Sequence, residues 1–423
     1  MILIERENSR LIYMKIVHLV AKDSGGAYRA AERINYALNN NTDIDSEILV
    51  LNKTHKNSEV TPFFNNRMLL FLFKLYRALK TKNLKKKELL GRGYIANYGI
   101  PISEWKKVHD ADIVHMHWIN DGMVSYNELK KMLSKDIHIV WTMHDMFPFT
   151  AICYYDNECG GYKDACVKCP LCNSKLSQKE IDTIIQCKKE AYNKNIAFVG
   201  CSTWIADCAK HSFLCKNSEV VVIPNTIRLD VFRPVLRESA IKLLGFKKAE
   251  EKKLILFGAM SATSDKRKGY EYLYKALDSI ENKDKYALLV FGGKSEDIID
   301  IGIETINAGL ISDDSRLAAL YSLADVFVAP SLQENLSNAV MESLACGTPV
   351  VAFNIGGMSD MISHMSNGYL ALPFDIDDLR NGIEWVSTYS NNLSRLCVDS
   401  VRNKFNNEKI AKQYIEIYNK MNK

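Results

Sequence analysis

Along this chain, short apolar runs alternate with stretches of helical period. The first series is KIVHLV (15–20), SEILVL (46–51), DIVHMHW (112–118), IHIVWTM (137–143), IAFVGCS (196–202) and VVVIPN (220–225). A second series follows: KLILFGAM (253–260), YALLVFGG (286–293), VFVAPS (326–331) and PVVAFN (349–354). These runs are continuous and β-branched; they do not alternate apolar with polar. Strands buried on both faces of a parallel sheet carry that pattern, because helices cover each face. With helices between them, the chain reads as α/β, doubly wound, and built twice.

The segment IPNTIRLDVFRPVLRES (223–239) breaks the rhythm with two prolines, charges and no clean period. It predicts a linker over 226–240 and a division into domains 1–232 and 233–393, with a closing segment 394–423. In that segment Phe405, Ile410, Tyr414, Ile417 and Tyr418 recur at helical steps, which predicts a helix. A length of 423 residues exceeds one ordinary core, in keeping with two domains. No window is apolar for about 18 residues, so no membrane-spanning helix is expected. MILIERENSR carries charges where an export signal is apolar, so a cytoplasmic protein is expected. The first thirteen residues, before Met14, read as a tail outside the fold or a misassigned start.

Ligands of a doubly wound sheet bind beyond the carboxyl ends of its strands, so chemistry is sought in the strand-to-helix turns. The first such turn, AKDSGGAYRAAERI, places Gly25 and Gly26 where a helix begins. Free N–H groups and the positive end of the helix dipole suit an anion there. A plain turn that needs glycine explains the pair equally well. It is not GxGxxG, so a dinucleotide fingerprint is poorly matched. A second turn, GAMSATSDKRKGYEYL, puts Lys266, Arg267 and Lys268 ahead of a helix, where cations oppose the dipole unless an anion compensates. The alternative is a solvated basic loop.

The third turn, SLQENLSNAVMESLACG, holds Glu334 and Glu342 eight residues apart. Glu342 falls a turn into a helix whose free donors would lie at Leu336, Ser337 and Asn338. Eight helical residues span about 12 Å, comparable to the distance from the sugar to the ribose of a nucleotide sugar. Two surface glutamates are the simpler reading of either residue alone; the whole pattern favours a binding site.

SLQENLSNAVMESLACGTPVVAFNIGGMSDMI closely resembles the E-x7-E region of retaining glycosyltransferases of family 4, in the GT-B class. The likeness runs over nearly the whole chain: Gly25–Gly26, RKGYEYL, LAALYSLADVFVAPS, IPNTIRLDVFRP and the closing helix all have counterparts. The resemblance implies two facing Rossmann-like domains, the first for an acceptor and the second for a nucleotide diphospho-sugar, with the closing helix returning to the first. It implies that Glu334 contacts the donor sugar and that Asn335, Leu336, Ser337 and Asn338 line the sugar and phosphate. Glu342 would hold the ribose, Lys268 would neutralise the diphosphate, and no metal would be needed to activate the donor. Where the family carries Arg after the glycine of FGAM this chain has Ala259, so Arg267 is the expected substitute.

VWTMHDMFPFT ends a buried strand with His144 and Asp145, and the matching histidine of the family lies close to the donor sugar. A histidine capping its own loop is the competing reading. His115 and His117, in IVHMHWIN, are read as facing opposite sides of their strand, with one toward the cleft. Five of the eleven cysteines crowd into CYYDNECGGYKDACVKCPLC. Cys153, Cys159, Cys166 and Cys169 have four thiols for a closed structural zinc, but only the second half shows clean CxxC spacing. Structural metal, free thiols and disulfides stay open for this segment, which also resembles a cysteine-rich insertion in some of these enzymes.

Residues 67–92 carry nine Lys or Arg against one Glu, with Met68, Leu69, Phe71, Leu72, Phe73 and Leu75 as an apolar side. An amphipathic segment on an anionic membrane and a helix packed on its own domain both fit. The resemblance favours the membrane, since many relatives use lipid-linked sugars at the cytoplasmic leaflet. Basic and aromatic residues are not interleaved as a nucleic-acid stacking platform needs. The reading is therefore a retaining glycosyltransferase that moves a sugar to a hydroxyl of a glycan or lipid-linked oligosaccharide. Competing readings are another GT-B enzyme such as an epimerase or a phosphorylase, a non-catalytic nucleotide-sugar binder, and an oxidoreductase using the first Gly-Gly turn. No pyridoxal-binding lysine motif is present for a phosphorylase, and the oxidoreductase leaves Glu334 and Glu342 unexplained.

Overall fold

The computed structural model describes residues 14–55, 59–81, 93–172, 176–192, 195–246, 252–258, 265–292 and 300–422. The first thirteen residues, residues 82–92 of the basic stretch and Ala259 lie outside the described residues.

Two parallel sheets organise the chain. The first contains β1 (Lys15–Leu19), β2 (Asp45–Val50), β3 (Thr61–Pro62), β4 (Ile113–Met116), β5 (His138–Met143), β6 (Ile196–Gly200) and β7 (Glu219–Val222). Their order is β3-β2-β1-β4-β5-β6-β7. The second contains β8 (Lys253–Gly258), β9 (Tyr286–Phe291), β10 (Glu304–Gly309), β11 (Val326–Ala329), β12 (Val350–Phe353) and β13 (Gly368–Ala371), in the order β10-β9-β8-β11-β12-β13. Every apolar run read from the sequence forms a strand, and both units are Rossmann-like. The strands not read, β3, β10 and β13, are all sheet edges. An edge strand is covered less completely, so it has less need of a continuous apolar run: β10 reads ETINAG and is half-buried along most of its length.

Between the sheets the chain runs without regular structure from Ile223 to the helix Arg237–Leu244. Ile227 and Phe232 are buried in the core of the second domain. The return crossing comes at Asn406. Phe405 ends the long helix Ile376–Phe405, whose Leu393, Cys397 and Val401 pack in the second domain. Asn406 then caps the last helix, Asn407–Met421, by accepting from the Lys409 amide at 2.9 Å. The single closing helix read over the last thirty residues is therefore two helices that meet at Asn406. An extended cap residue, not a change in hydrophobic period, makes the break. The last helix buries Ile410, Ala411, Tyr414, Ile417 and Tyr418 against Ile34, Ala37 and Leu38 of the first helix, Gly26–Asn41. The two crossings meet: the Ile227 amide donates to the Phe405 carbonyl at 3.2 Å, and the Thr226 hydroxyl lies 2.9 Å from the same oxygen.

Candidate active site between the two domains

The carboxyl ends of both sheets converge on one cleft. On the second domain, β11 leads into a loop carrying Glu334 and Asn335, then into the helix Asn338–Ala345. Ser337 is the cap of that helix, its Oγ accepting from the Val340 amide, so the free helix amides begin at Asn338 and not at Leu336. Leu336 is buried in the second core and supports the loop from beneath. Asn335 ties the loop to the first domain: its side-chain amide donates to the Met143 carbonyl at 3.0 Å, and its oxygen accepts from the Ser202 hydroxyl at 2.6 Å. Gly356 closes the back of the loop with φ 51°, where a Cβ would stand 1.9 Å from the Glu334 carbonyl oxygen. Only glycine fits so close an approach at that conformation.

Lys268 ends a short 3-10 turn, Lys266–Lys268, ahead of the helix Tyr270–Asp278. Its Nζ donates to Glu334 Oε2 at 2.8 Å. Gly269 follows with φ 71°; a Cβ there would meet the Pro330 carbonyl oxygen at 1.8 Å, so the cationic turn is pressed against the end of β11. Arg267 is held by Asp265 through Nη2–Oδ2 at 2.7 Å. Its charge is near enough to the Asp145 carboxyl, across the cleft, to act on it.

From the first domain, β5 delivers His144 and Asp145, both half-buried. Removal from water pushes the Asp145 carboxyl up to about 7, against the Phe147 amide and the Lys188 and Arg267 charges that pull it down. Burial brings the His144 imidazole down to about 4. Gly25 stands just before the first helix, and the Gly26 carbonyl accepts from the Asn338 side chain at 3.1 Å, so the Gly-Gly turn and the helix of Glu342 face each other.

Glu342 is more enclosed than its sequence neighbourhood indicates. Its Oε1 accepts from Arg33 at 2.5 Å and from Arg29 at 3.3 Å, and its Oε2 accepts from the Tyr321 hydroxyl at 3.2 Å. Both arginines belong to the first helix, so this carboxylate bridges the domains. Arg33 also lies over the Phe232 ring at 5.0 Å. A carboxylate has about four lone-pair sites, so a ribose at Glu342 must use the remaining one or displace an arginine. Sequence reasoning missed Arg29, Arg33, Tyr321 and Ser202. The only local signal was the i, i+4 stripe of Arg29 and Arg33 on one helix face.

His115 and His117 share one face of their strand, and this corrects the sequence reading. Residues two apart on a strand point the same way. Their rings are 4.2 Å apart, and His18 of β1 joins them from the neighbouring strand.

The four cysteines Cys153, Cys159, Cys166 and Cys169 line one cavity with Tyr162 and Pro170, and all are free thiols. Among the described residues, the one group of three or more His, Cys, Asp or Glu with ligand atoms all within 4.8 Å is His18, His115 and His117, so no three of these sulfurs are that close. A tetrahedral zinc with Zn–S near 2.3 Å needs sulfurs about 3.8 Å apart. As they stand, the thiols surround a space but do not form a closed zinc cage.

The helix Arg67–Thr81 leaves Met68, Leu69, Phe71, Leu72, Leu75 and Leu79 exposed, while Phe73 packs tilted against Phe64 with ring centroids 5.0 Å apart. Among the described residues, the domain covers Phe73 but leaves most of this apolar side open. Among the described residues, no helix is long and apolar enough to cross a membrane.

Comparison with known proteins bears on this cleft. Residues 251–388, which hold Lys268, Glu334 and Glu342, match the family model described as Glycosyl transferases group 1. An uncharacterised glycosyltransferase of Methanocaldococcus jannaschii is 29% identical over 181 residues, covering 40% of this chain and 45% of its own. The N,N'-diacetylbacillosaminyl-diphospho-undecaprenol alpha-1,3-N-acetylgalactosaminyltransferase of Campylobacter jejuni is 26% identical over 213 residues, covering 49% of this chain and 56% of its own. The chain spans about half the length of the curated relatives it matches. Among solved structures, Anabaena HepE in complex with UDP-glucose superposes with a TM-score of 0.63 at 14% identity, covering 96% of this chain and 100% of that one. A glycosyltransferase from Rickettsia africae gives 0.66 at 17% identity, covering 97% and 99%. These likenesses establish the fold as that of the GT-B glycosyltransferases.

Proposed function

We propose that this chain is a glycosyltransferase of polysaccharide or glycolipid biosynthesis that moves a sugar, with retention, from a nucleotide diphospho-sugar to a hydroxyl of a glycan or lipid-linked acceptor. The observation that carries the reading is the Lys268–Glu334 pair at the carboxyl ends of the second sheet, beside Arg267, whose charge reaches Asp145 of the first domain. The bond that breaks joins the anomeric carbon to the diphosphate, and the barrier lies in charge gathering on that diphosphate. Lys268 and the amides after Ser337 stand where fixed positive charge lowers it. Glu334 accepts from sugar hydroxyls once Lys268 turns to phosphate. In this reading the acceptor's proton leaves on a phosphate oxygen, and the two glutamates are not an acid–base pair, since they hold opposite ends of the donor. Asn335, clamped to Met143 and Ser202, keeps the domains closed and water out.

The test is release of nucleotide diphosphate from a panel of UDP-, GDP- and ADP-sugars with lipid-linked and free glycan acceptors, with the product anomer read by NMR. Transfer with an unchanged anomeric configuration supports the proposal, and an inverted product removes retention. Binding without turnover on every acceptor makes the protein a nucleotide-sugar binder instead.

The uncovered apolar side of Arg67–Thr81, flanked by Arg67, Lys74 and Lys80, supports peripheral attachment to an anionic membrane on the cytoplasmic side. Co-sedimentation with anionic but not zwitterionic vesicles is expected; equal recovery in both would remove it. Catalysis is assigned no metal, so chelator should leave turnover unchanged. A structural zinc on the four cysteines is supported by their shared cavity and opposed by their spacing. Metal analysis finding one zinc per chain would require the thiols to close in; none would leave them free.

A further inference from the structure

Beneath the cleft, a line of imidazoles runs from His144 into the core. His144 Nε2 lies 3.0 Å from His117 Nδ1. His117 Nε2 lies 2.9 Å from His18 Nδ1. His18 Nε2 is buried and has no hydrogen-bond partner among the described residues. At the other end, no hydrogen bond joins His144 Nδ1 to another described residue, and the half-buried ring lines a small hollow with Trp118, Asn120 and Asp145 at the carboxyl end of β5. His115 packs alongside but is closed off, with Nδ1 2.7 Å from the Tyr418 hydroxyl and Nε2 2.7 Å from the Thr142 hydroxyl.

A neutral imidazole has one N–H and one bare nitrogen. Burial keeps these rings neutral: His18 is brought down to about 3, His144 to about 4, and His117 falls well below the usual range, helped by neighbouring histidines. In a line of neutral rings joined Nδ1 to Nε2, all hydrogen bonds must point one way. Either each ring is protonated at Nδ1 or each is protonated at Nε2. The inner end decides. Protonation at Nε2 would leave a His18 N–H buried with no acceptor, the rarer kind of orphan; protonation at Nδ1 leaves only a bare nitrogen there. The favoured direction is His18 Nδ1–H to His117, then His117 Nδ1–H to His144, which leaves His144 Nδ1–H facing the cleft.

We propose that His18, acting through His117, fixes His144 as an Nδ1–H donor toward the cleft, so that His144 donates a hydrogen bond to an oxygen of the bound sugar and does not serve as a general base. His18 and His117 are positioning residues. The ligand part of this inference rests on the proposed glycosyltransferase function; the tautomer part does not.

The experiment is a long-range 1H–15N spectrum of the full chain labelled with 15N-histidine at pH 7.5, assigned by single His-to-Gln substitutions. His18, His117 and His144 are each expected to be protonated at Nδ1. His18→Phe, close in volume, should mix the two His144 tautomers and lower kcat about tenfold, the worth of one hydrogen bond. His18→Asn places an amide N–H where Nδ1 was and should restore both within about twofold. A wild-type His144 protonated at Nε2 overturns the proposal even if the Phe variant does not fold, and so does an unchanged His144 tautomer in a folded Phe variant. If the tautomers are as stated but no nucleotide sugar turns over, the proposed function fails and the imidazole line stands. If turnover occurs with Nε2-protonated His144, the line fails and the function stands.

Discussion

The two glutamates of the site stand at opposite ends of one loop and helix and meet different surroundings. Glu334 pairs with Lys268 inside the second domain, at side-chain exposures of 13% and 26%. Glu342 pairs with Arg33 across the domains, at 4% and 3%. A partly hydrated pair is worth little and separates easily, so a ligand can take either member. A buried pair resists separation, because whichever partner remains is left charged and out of water. On the proposed function, the Glu334 end opens to the donor sugar, while at the Glu342 end the arginines hold the domains together and the ribose takes the one acceptor site left by Arg29, Arg33 and Tyr321. Arg29 marks the transition: it touches Glu342 but is also drawn to Asp314 at 2.8 Å, nearer the surface.

The strongest way to break this contrast is Arg33→Ala. It should cost about 3–5 kcal/mol of stability, measured by denaturant unfolding, since Glu342 would keep only Arg29 and Tyr321. A loss below about 1 kcal/mol would mean that the pair is hydrated in solution and the two ends are alike. Lys268→Ala should do the opposite: a drop in kcat of about 10²–10³ from lost leaving-group stabilisation, with little change in stability.

A weaker effect comes from pH. The folded values of His18, His115, His117 and His144 lie below the unfolded value of about 6.5. As pH falls through that value the unfolded chain binds more protons, so stability present above about 6.5 is lost on the way toward about 4. Asp145, raised to about 7, works the other way, because its folded form keeps a proton that the unfolded form gives up. The histidines outnumber it, so the melting temperature should fall from pH 7 to 5. His144→Gln should flatten that slope, whereas Arg29→Ala should leave it unchanged and cost under about 1 kcal/mol. A slope unaltered by His144→Gln would show that the imidazole is hydrated and titrates normally.

The sequence showed the Glu334 end better than the Glu342 end, for a physical reason. Lys268 and Glu334 sit in strand-to-helix turns, and a doubly wound sheet brings such turns to one edge whatever the details. The bond from Arg33 to Glu342 joins residues 309 positions apart on different domains, and no local period reports how two domains dock. The strands followed the same logic: central runs such as VFVA at β11 were plain, while the edge strand ETINAG was not. His115 and His117 were given opposite faces, although a strand's period of two puts them together, and the imidazole line was not foreseen. His18, on β1 beside them, needed the parallel pairing of β1 with β4 to be seen.

The measurement that tests the central claim most directly is a thermal-shift series with UDP, GDP, ADP and their sugars on the wild type and on Glu342→Ala. The account predicts that one nucleotide series stabilises the wild type, by about 2.7 kcal/mol at a hundred times Kd, and that Glu342→Ala loses most of that gain. Stabilisation by no nucleotide, or an equal gain in the variant, would contradict the reading of Glu342 as a ligand for the donor's ribose.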